Sequence, residues 1–200
     1  MKMIKTITVG ICFSVLALST SFSLAFAQNN ENPSGVTHNQ VKPIIFEGQS
    51  YSPQQAATFT QVASQVNHTV VEANGRVFGY EHKADADKHI DRILAAQNNE
   101  VVPEEGDYHA TFWDFYKYTG ASFDVSLAQN KPYVGDFWNN EISSIKTAYK
   151  GSGVTLYENI NFTGSSIFFA PGAVSENLGW FILRPNVTWD DQTTSIEVKP

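Results

Sequence analysis

The sequence predicts an α+β chain: a small α-β-β-α unit followed by an all-β half. Three observations lead there. Residues 43–96 carry two amphipathic helical patterns around a β-hairpin signal. From residue 108 aromatics become dense, helix signals stop, and short apolar runs alternate with Gly, Asn and Ser. Within that half one eight-residue phrase is written twice, WNNEISSI at 138–145 and WDDQTTSI at 189–196.

Residues 1–27 read as a secretory signal. Lys2 and Lys5 form a basic start, ITVGICFSVLAL (7–18) is an apolar run, and Ala25-Phe26-Ala27 places small residues before Gln28. The run is short for a membrane span, and Ser19, Thr20, Ser21 and Ser23 follow it, which favours cleavage over an anchor. The expected location is secreted or extracellular, or a periplasmic or cell-wall space, with no membrane span after cleavage. The only cysteine, Cys12, leaves with the signal. The exported protein then has no disulfides and needs a good core, a metal ion, or both. Formal net charge is −7, and losing Lys2 and Lys5 makes it more negative. That balance argues against nucleic acid or anionic lipid as partners.

Residues 28–42 are polar and aperiodic and read as a disordered lead-in. PIIF (43–46) reads as a strand. Ser52-Pro53-Gln54-Gln55 reads as a helix start, with Ser as N-cap, Pro at the first helical position and Gln closing a capping box. Ala56, Phe59, Ala63 and Val66 give that helix one apolar stripe. TVVEANGRVFGY (69–80) is a hairpin signal around Asn74-Gly75. A second helix over about 84–95 places Ala86, Ile90, Ile93 and Leu94 on one face. This unit has a thin core and is expected to lean on its neighbour. Residues 97–107 read as a linker.

A second phrase repeats in the β half: WDFYKYTG at 113–120 and YENINFTG at 157–164, an aromatic, four residues, an aromatic, one residue and Gly. It suits a folded hairpin in which two aromatics stack over the turn and the Gly takes a backbone angle closed to other residues. Trp113, Tyr118, Tyr157 and Phe162 are therefore expected to be hairpin and core residues. Each copy is followed by a strand-like run and then by one of the eight-residue phrases. The second copy holds about seven extra residues, in the loop around 178–185. The Asn/Asp-Asn/Asp-x-x-Ser/Thr-Ser core of the eight-residue phrase suits a loop that turns its oxygens inward. Such oxygens are hard ligands of the kind calcium takes.

Two hairpin phrases and two loop phrases in this order resemble a βγ-crystallin domain of the calcium-binding type. The resemblance covers about 108–199, with Greek keys at 108–150 and 152–199. It implies a double Greek-key sandwich and two calcium sites. One site would use Asn139, Glu141 and Ser143, closed by Glu158. The other would use Asp190, Gln192 and Thr194, closed by Asp114. Ser144 and Ser195 would brace the loops. Calcium would tie one repeat to the other. The site with the charged Asp190-Asp191 pair is expected to bind before the one with the neutral Asn139-Asn140 pair.

In EHKADADKH (81–89), Asp85 and His89 could share a helix face and hold a transition metal, but a solvated charged face is the plainer reading. Asn67, Asn161 and Asn186 begin N-glycosylation patterns. No nucleophile elbow, phosphate loop, zinc helix or haem motif is present, and no enzyme is expected. The leading reading is a secreted, non-enzymatic calcium-binding protein with an extracellular protein or glycan partner. One alternative is an extracellular (metallo)proteinase inhibitor on the same fold, with GWFILRPN (179–186) as an inserted binding loop. The other is a cell-wall or glycan-binding module using Trp138, Trp180, Phe181 or Trp189.

Overall fold

The computed structural model describes residues 40–97 and 108–199. The secretory signal, nearly all of the lead-in and most of the linker lie outside the described residues. Of the lead-in, Lys42 is held: its backbone N–H donates to Trp180 O at 2.7 Å and its ammonium sits over the Trp180 and Phe181 rings.

The N-terminal unit opens with a short hairpin, β1 (Ile44–Phe46) and β2 (Gln49–Tyr51), then runs α1 (Ala56–Ala63), β3 (His68–Val71), β4 (Val77–Tyr80) and α2 (Lys83–Gln97). The hairpin expected around Asn74-Gly75 is β3 and β4 in antiparallel register, with Gly75 at φ 83°. Helix α1 starts one turn later than the capping signal suggests. The Gln55 side chain does accept from the Ser52 backbone N–H, at 3.3 Å. That bond closes a turn at 52–55 instead of the first helical turn, and Gln55 becomes the residue before the helix. Phe59, Ala63 and Val66 of the expected stripe are buried, joined by Val62, while Ala56 is exposed. Helix α2 lays Ala86, Ile90 and Ile93 on Val70 and Phe168.

The β half contains β5 (His109–Phe115), β6 (Thr119–Ser126), β7 (Ser144–Lys146), β8 (Val154–Asn159), β9 (Thr163–Phe169), β10 (Val174–Ser175), β11 (Ile182–Arg184), β12 (Val187–Thr188) and β13 (Ser195–Val198). Its keys exchange strands. β10 of the second repeat pairs with β7 of the first, and Lys131 of the first bridges Ile196 in β13 of the second. The resulting sheets are β10-β7-β5-β6 and one that begins β13-β8-β9. Phe112, Ile142, Ile145, Leu156, Ile167, Phe169, Trp189 and Ile196 fill the space between them, all nearly inaccessible. This is the expected double Greek key.

The second sheet does not stop at β9. β3 pairs with β9 in parallel, from His68 opposite Ser166 to Val71 opposite Phe169, and the sheet continues through β4, β1 and β2 to seven strands. The N-terminal unit and the second key therefore share one sheet and one core, which joins Ile44, Phe59, Val62 and Val77 to Phe169, Phe181 and Leu183. Among the described residues no helix is long and apolar enough to cross a membrane.

Candidate functional site

The two hairpin phrases fold alike. Lys117 and Asn161 sit at φ 56° and 57°, Tyr118 and Phe162 at 61° and 60°, and Gly120 and Gly164 at 82° and 78°. The paired rings stack edgewise, Trp113 on Tyr118 at 5.3 Å and Tyr157 on Phe162 at 5.8 Å between centroids. A Cβ on Gly120 would lie 2.0 Å from Asp114 Oδ1, so the glycine makes room for that carboxylate. The last Ser of each loop phrase locks the hairpin of its own repeat. Ser144 Oγ donates to Phe115 O at 2.7 Å and accepts from Tyr118 N–H at 3.1 Å. Ser195 Oγ does the same with Asn159 O and Phe162 N–H, at 2.6 and 3.1 Å.

The second residue of each loop phrase explains why it is Asn or Asp. Asn140 and Asp191 adopt φ 61° and 53°, the left-handed region that these short polar side chains tolerate best after glycine. That conformation sends each residue across to the other repeat. Asn140 N–H donates to Thr193 O at 3.1 Å, and Asp191 N–H donates to Ile142 O at 3.2 Å. The side chains follow. Ser143 Oγ donates to Asp191 Oδ1 at 3.2 Å, and Thr194 Oγ1 lies 3.5 Å from Asn140 Oδ1.

The hairpin acids stay with their own repeats. β7 pairs with β5, and Ser143 N–H donates to Trp113 O at 2.9 Å, so Asp114 lies beside Ser143. Thr194 N–H donates to Tyr157 O at 2.9 Å, which puts Glu158 beside Thr194. Six of the eight expected residues are thus regrouped. The first cluster is Asp114, Glu141 and Ser143, joined by Asp191. The second is Glu158, Gln192 and Thr194, joined by Asn140. The expected closure of Ser143 by Glu158, and of Thr194 by Asp114, is corrected: the repeats do cross, but through the second loop residue and not through the hairpin. Asn139 and Asp190 take another role. Asp190 Oδ2 accepts a hydrogen bond from Tyr116 Oη, and Asn139 turns its Oδ1 into the protein. In the second repeat Ile160 stands where Tyr116 stands in the first, so Asn139 has no matching hydroxyl.

The first cluster is electrostatically loaded. Surrounding protein, then the charge of Asp190, drives the Asp191 carboxyl up to about 7; Ser143 draws it down and Glu141 and Asp114 push it further up. Asp191 keeps an exposed side, so water screens part of this effect. Asp114 Oδ1 is buried without a hydrogen-bond partner. An unmatched carboxylate oxygen on Asp114, whose charge reaches the crowded Asp191, fits a hard cation. Among the described residues no three His, Cys, Asp or Glu side chains converge, so an ion here would also draw on the Ser143 hydroxyl and loop carbonyls. That mixed oxygen set suits calcium and disfavours transition metals.

The second cluster differs. Its Glu158 carboxylate is already ion-paired with Arg184, and Asn140, Gln192 and Thr194 are neutral.

The remaining sequence-level candidates sort clearly. Asp85 pairs with Lys88 and Asp87 with Lys83, each on the helix surface. His89 is buried between Tyr80 Oη at 2.8 Å and Glu72 Oε1 at 3.1 Å, so it is not available with Asp85 as a metal pair. Trp189 and Phe181 are 1% exposed and offer no face to a sugar. The inserted 179–186 segment is mostly core as well: Phe181, Ile182 and Leu183 are buried, and only Arg184 and Asn186 are exposed.

The family model of peptidase inhibitor family I36 matches residues 111–182, within the β half. No curated protein sequence matches the chain. Among solved structures, an archaeal βγ-crystallin is similar at 24% identity over 45% of this chain and 95% of that one, with a TM-score of 0.36. A βγ-crystallin from Ciona intestinalis is 17% identical over 46% and 99%, TM-score 0.37. A βγ-crystallin domain from Flavobacterium johnsoniae is 24% identical over 46% and 92%, TM-score 0.33. The double Greek key rests on the strand exchange seen in the chain itself.

Proposed function

We propose that this is a secreted, non-enzymatic protein that binds calcium and uses it to tie its two Greek keys together. The observation that carries the reading is Asp191 of the second repeat, set on the Ser143 hydroxyl of the first and within reach of the Asp114 charge. Asp114, Asp191, Ser143 and the Glu141 carbonyl would hold the ion at this first cluster. Calcium supplies positive charge where the chain has gathered oxygens, so binding relieves carboxylate repulsion and couples the repeats. A site with a Kd of about 10 μM in about 1 mM calcium would add on the order of 2.7 kcal/mol of stability by mass action.

Calorimetric titration with calcium, and melting with and without chelator, test the reading. Heat of binding and a higher melting temperature with calcium are expected. Absence of both sinks it.

A second reading is favoured by one specific observation, the match of 111–182 to the peptidase inhibitor family model. Without disulfides, the inserted hairpin is held by packing: Phe181 meets Phe169 edge-on at 5.4 Å between centroids. Residual activity of extracellular metalloproteinases mixed with the protein tests it. Undiminished activity at a large excess of protein removes the inhibitor reading.

A further inference from the structure

The two clusters are related by the repeat, yet only one is short of positive charge. In the first, the charges of Asp114 and Glu141 both act on Asp191, and no Lys or Arg side chain is hydrogen-bonded or ion-paired to these three carboxylates among the described residues. In the second, Glu158 is the single acid, and the guanidinium Nη1 of Arg184 sits on its Oε1.

Arg184 is not an incidental surface residue. It ends β11, one arm of the β11–β12 hairpin that the second repeat has and the first lacks. Asn186 at φ 63° turns that hairpin. Its base is fixed by buried Phe181 and Leu183 and by Trp189 N–H donating to Phe181 O at 2.9 Å. The insertion therefore holds a guanidinium against the one carboxylate of the second cluster. An arginine is permanently charged, and its fork matches a carboxylate. A divalent cation arriving there meets a like charge and a neutral remainder of Asn140, Gln192 and Thr194.

We propose that the inserted hairpin fills the second cluster with the Arg184 guanidinium in place of a metal ion, so that the chain takes one calcium, at the first cluster. The proposal rests on the calcium reading of the first cluster, and its test separates the two. It makes the repeats functionally unequal: one is closed by an ion from solution, the other by a cation written into the chain.

The test is calcium calorimetry on the full chain, as wild type and as Arg184→Gln. Arg184 lies exposed at a hairpin tip, so the variant should fold. Arg184→Met, which keeps the aliphatic stem, serves as a second version, and both should melt in chelator close to wild type because an exposed ion pair adds little. Wild type should bind one calcium per chain. Both variants should bind two, the added step on the order of tenfold weaker because its site has fewer acids. Two ions on wild type, or one ion on wild type and still one on folded variants of both kinds, overturns the proposal. No binding by wild type but one ion on the variants would defeat the calcium reading of the first cluster and leave the role of Arg184 standing.

Discussion

Asn140 and Asp191 occupy equivalent left-handed positions, yet only one carries a charge. Asp191 is consequently the residue on which calcium affinity should depend most, and Asp191→Asn should weaken or abolish the calorimetric signal. Its titration gives a second handle. A carboxyl whose folded pKa is raised to about 7 binds its proton more tightly folded than unfolded. Its contribution to stability is therefore full below the unfolded value of about 4 and is lost as pH rises towards 7. Calcium-free wild type should gain stability relative to Asp191→Asn as pH falls from 7.5 to 4.5, and calcium binding near pH 7 should release protons. Melting of both proteins across that range, and calorimetry in buffers of different ionisation enthalpy, check this. Asp190 serves differently. Burial, then the Asp190 carboxylate, keeps the Tyr116 hydroxyl protonated as a donor. Tyr116→Phe should cost about 1.5–3 kcal/mol in denaturant unfolding, as for a hydrogen bond to a charged partner. The repeated phrase identified the residues lining the clusters but not their partition. Partition depends on which backbone turns left-handed, and the Asn/Asp preference at the second position was the available signal for it.

Helix α2 shows a similar boundary of legibility. Its apolar period was readable, and Ala86, Ile90 and Ile93 pack as expected. His89 reads as one more polar residue in a charged stretch, but the turn of the helix brings it under Tyr80 and Glu72 of the β3–β4 hairpin. Burial lowers its pKa, against the opposing pull of Glu72. A lowered histidine contributes stability that is present above the unfolded value of about 6.5 and is lost as pH falls through the folded one. Wild type should therefore lose stability faster than His89→Gln between pH 7 and pH 5, measured by chelator-treated melting. The inserted hairpin was legible as extra length only. Its apolar residues, Phe181, Ile182 and Leu183, read equally well as a binding loop or as core, and the presence of α1 and β1 beside them decides for core.

Across the chain, the double Greek key was legible because four phrases occur in a fixed order. The shared sheet was not, because β3 and β9 lie about a hundred residues apart and parallel pairing leaves no turn signature. One sheet and one core predict one cooperative transition. Thermal unfolding followed by tryptophan fluorescence, which reports the β half, and by helical circular dichroism, which reports α1 and α2, should coincide, and calcium should shift both together. Separate midpoints would show that the N-terminal unit melts alone.

The crossing of Asp191 onto Ser143 also has a kinetic side. The first cluster exists only once both repeats have docked, and docking requires β13, which pairs with β8 and takes the bridge from Lys131. An ion that needs the finished fold gains little in the folding transition state and much in the native state. Calcium then acts as a brake on opening and not as a guide to assembly, so its presence sets how long a folded molecule lasts more than how fast one forms.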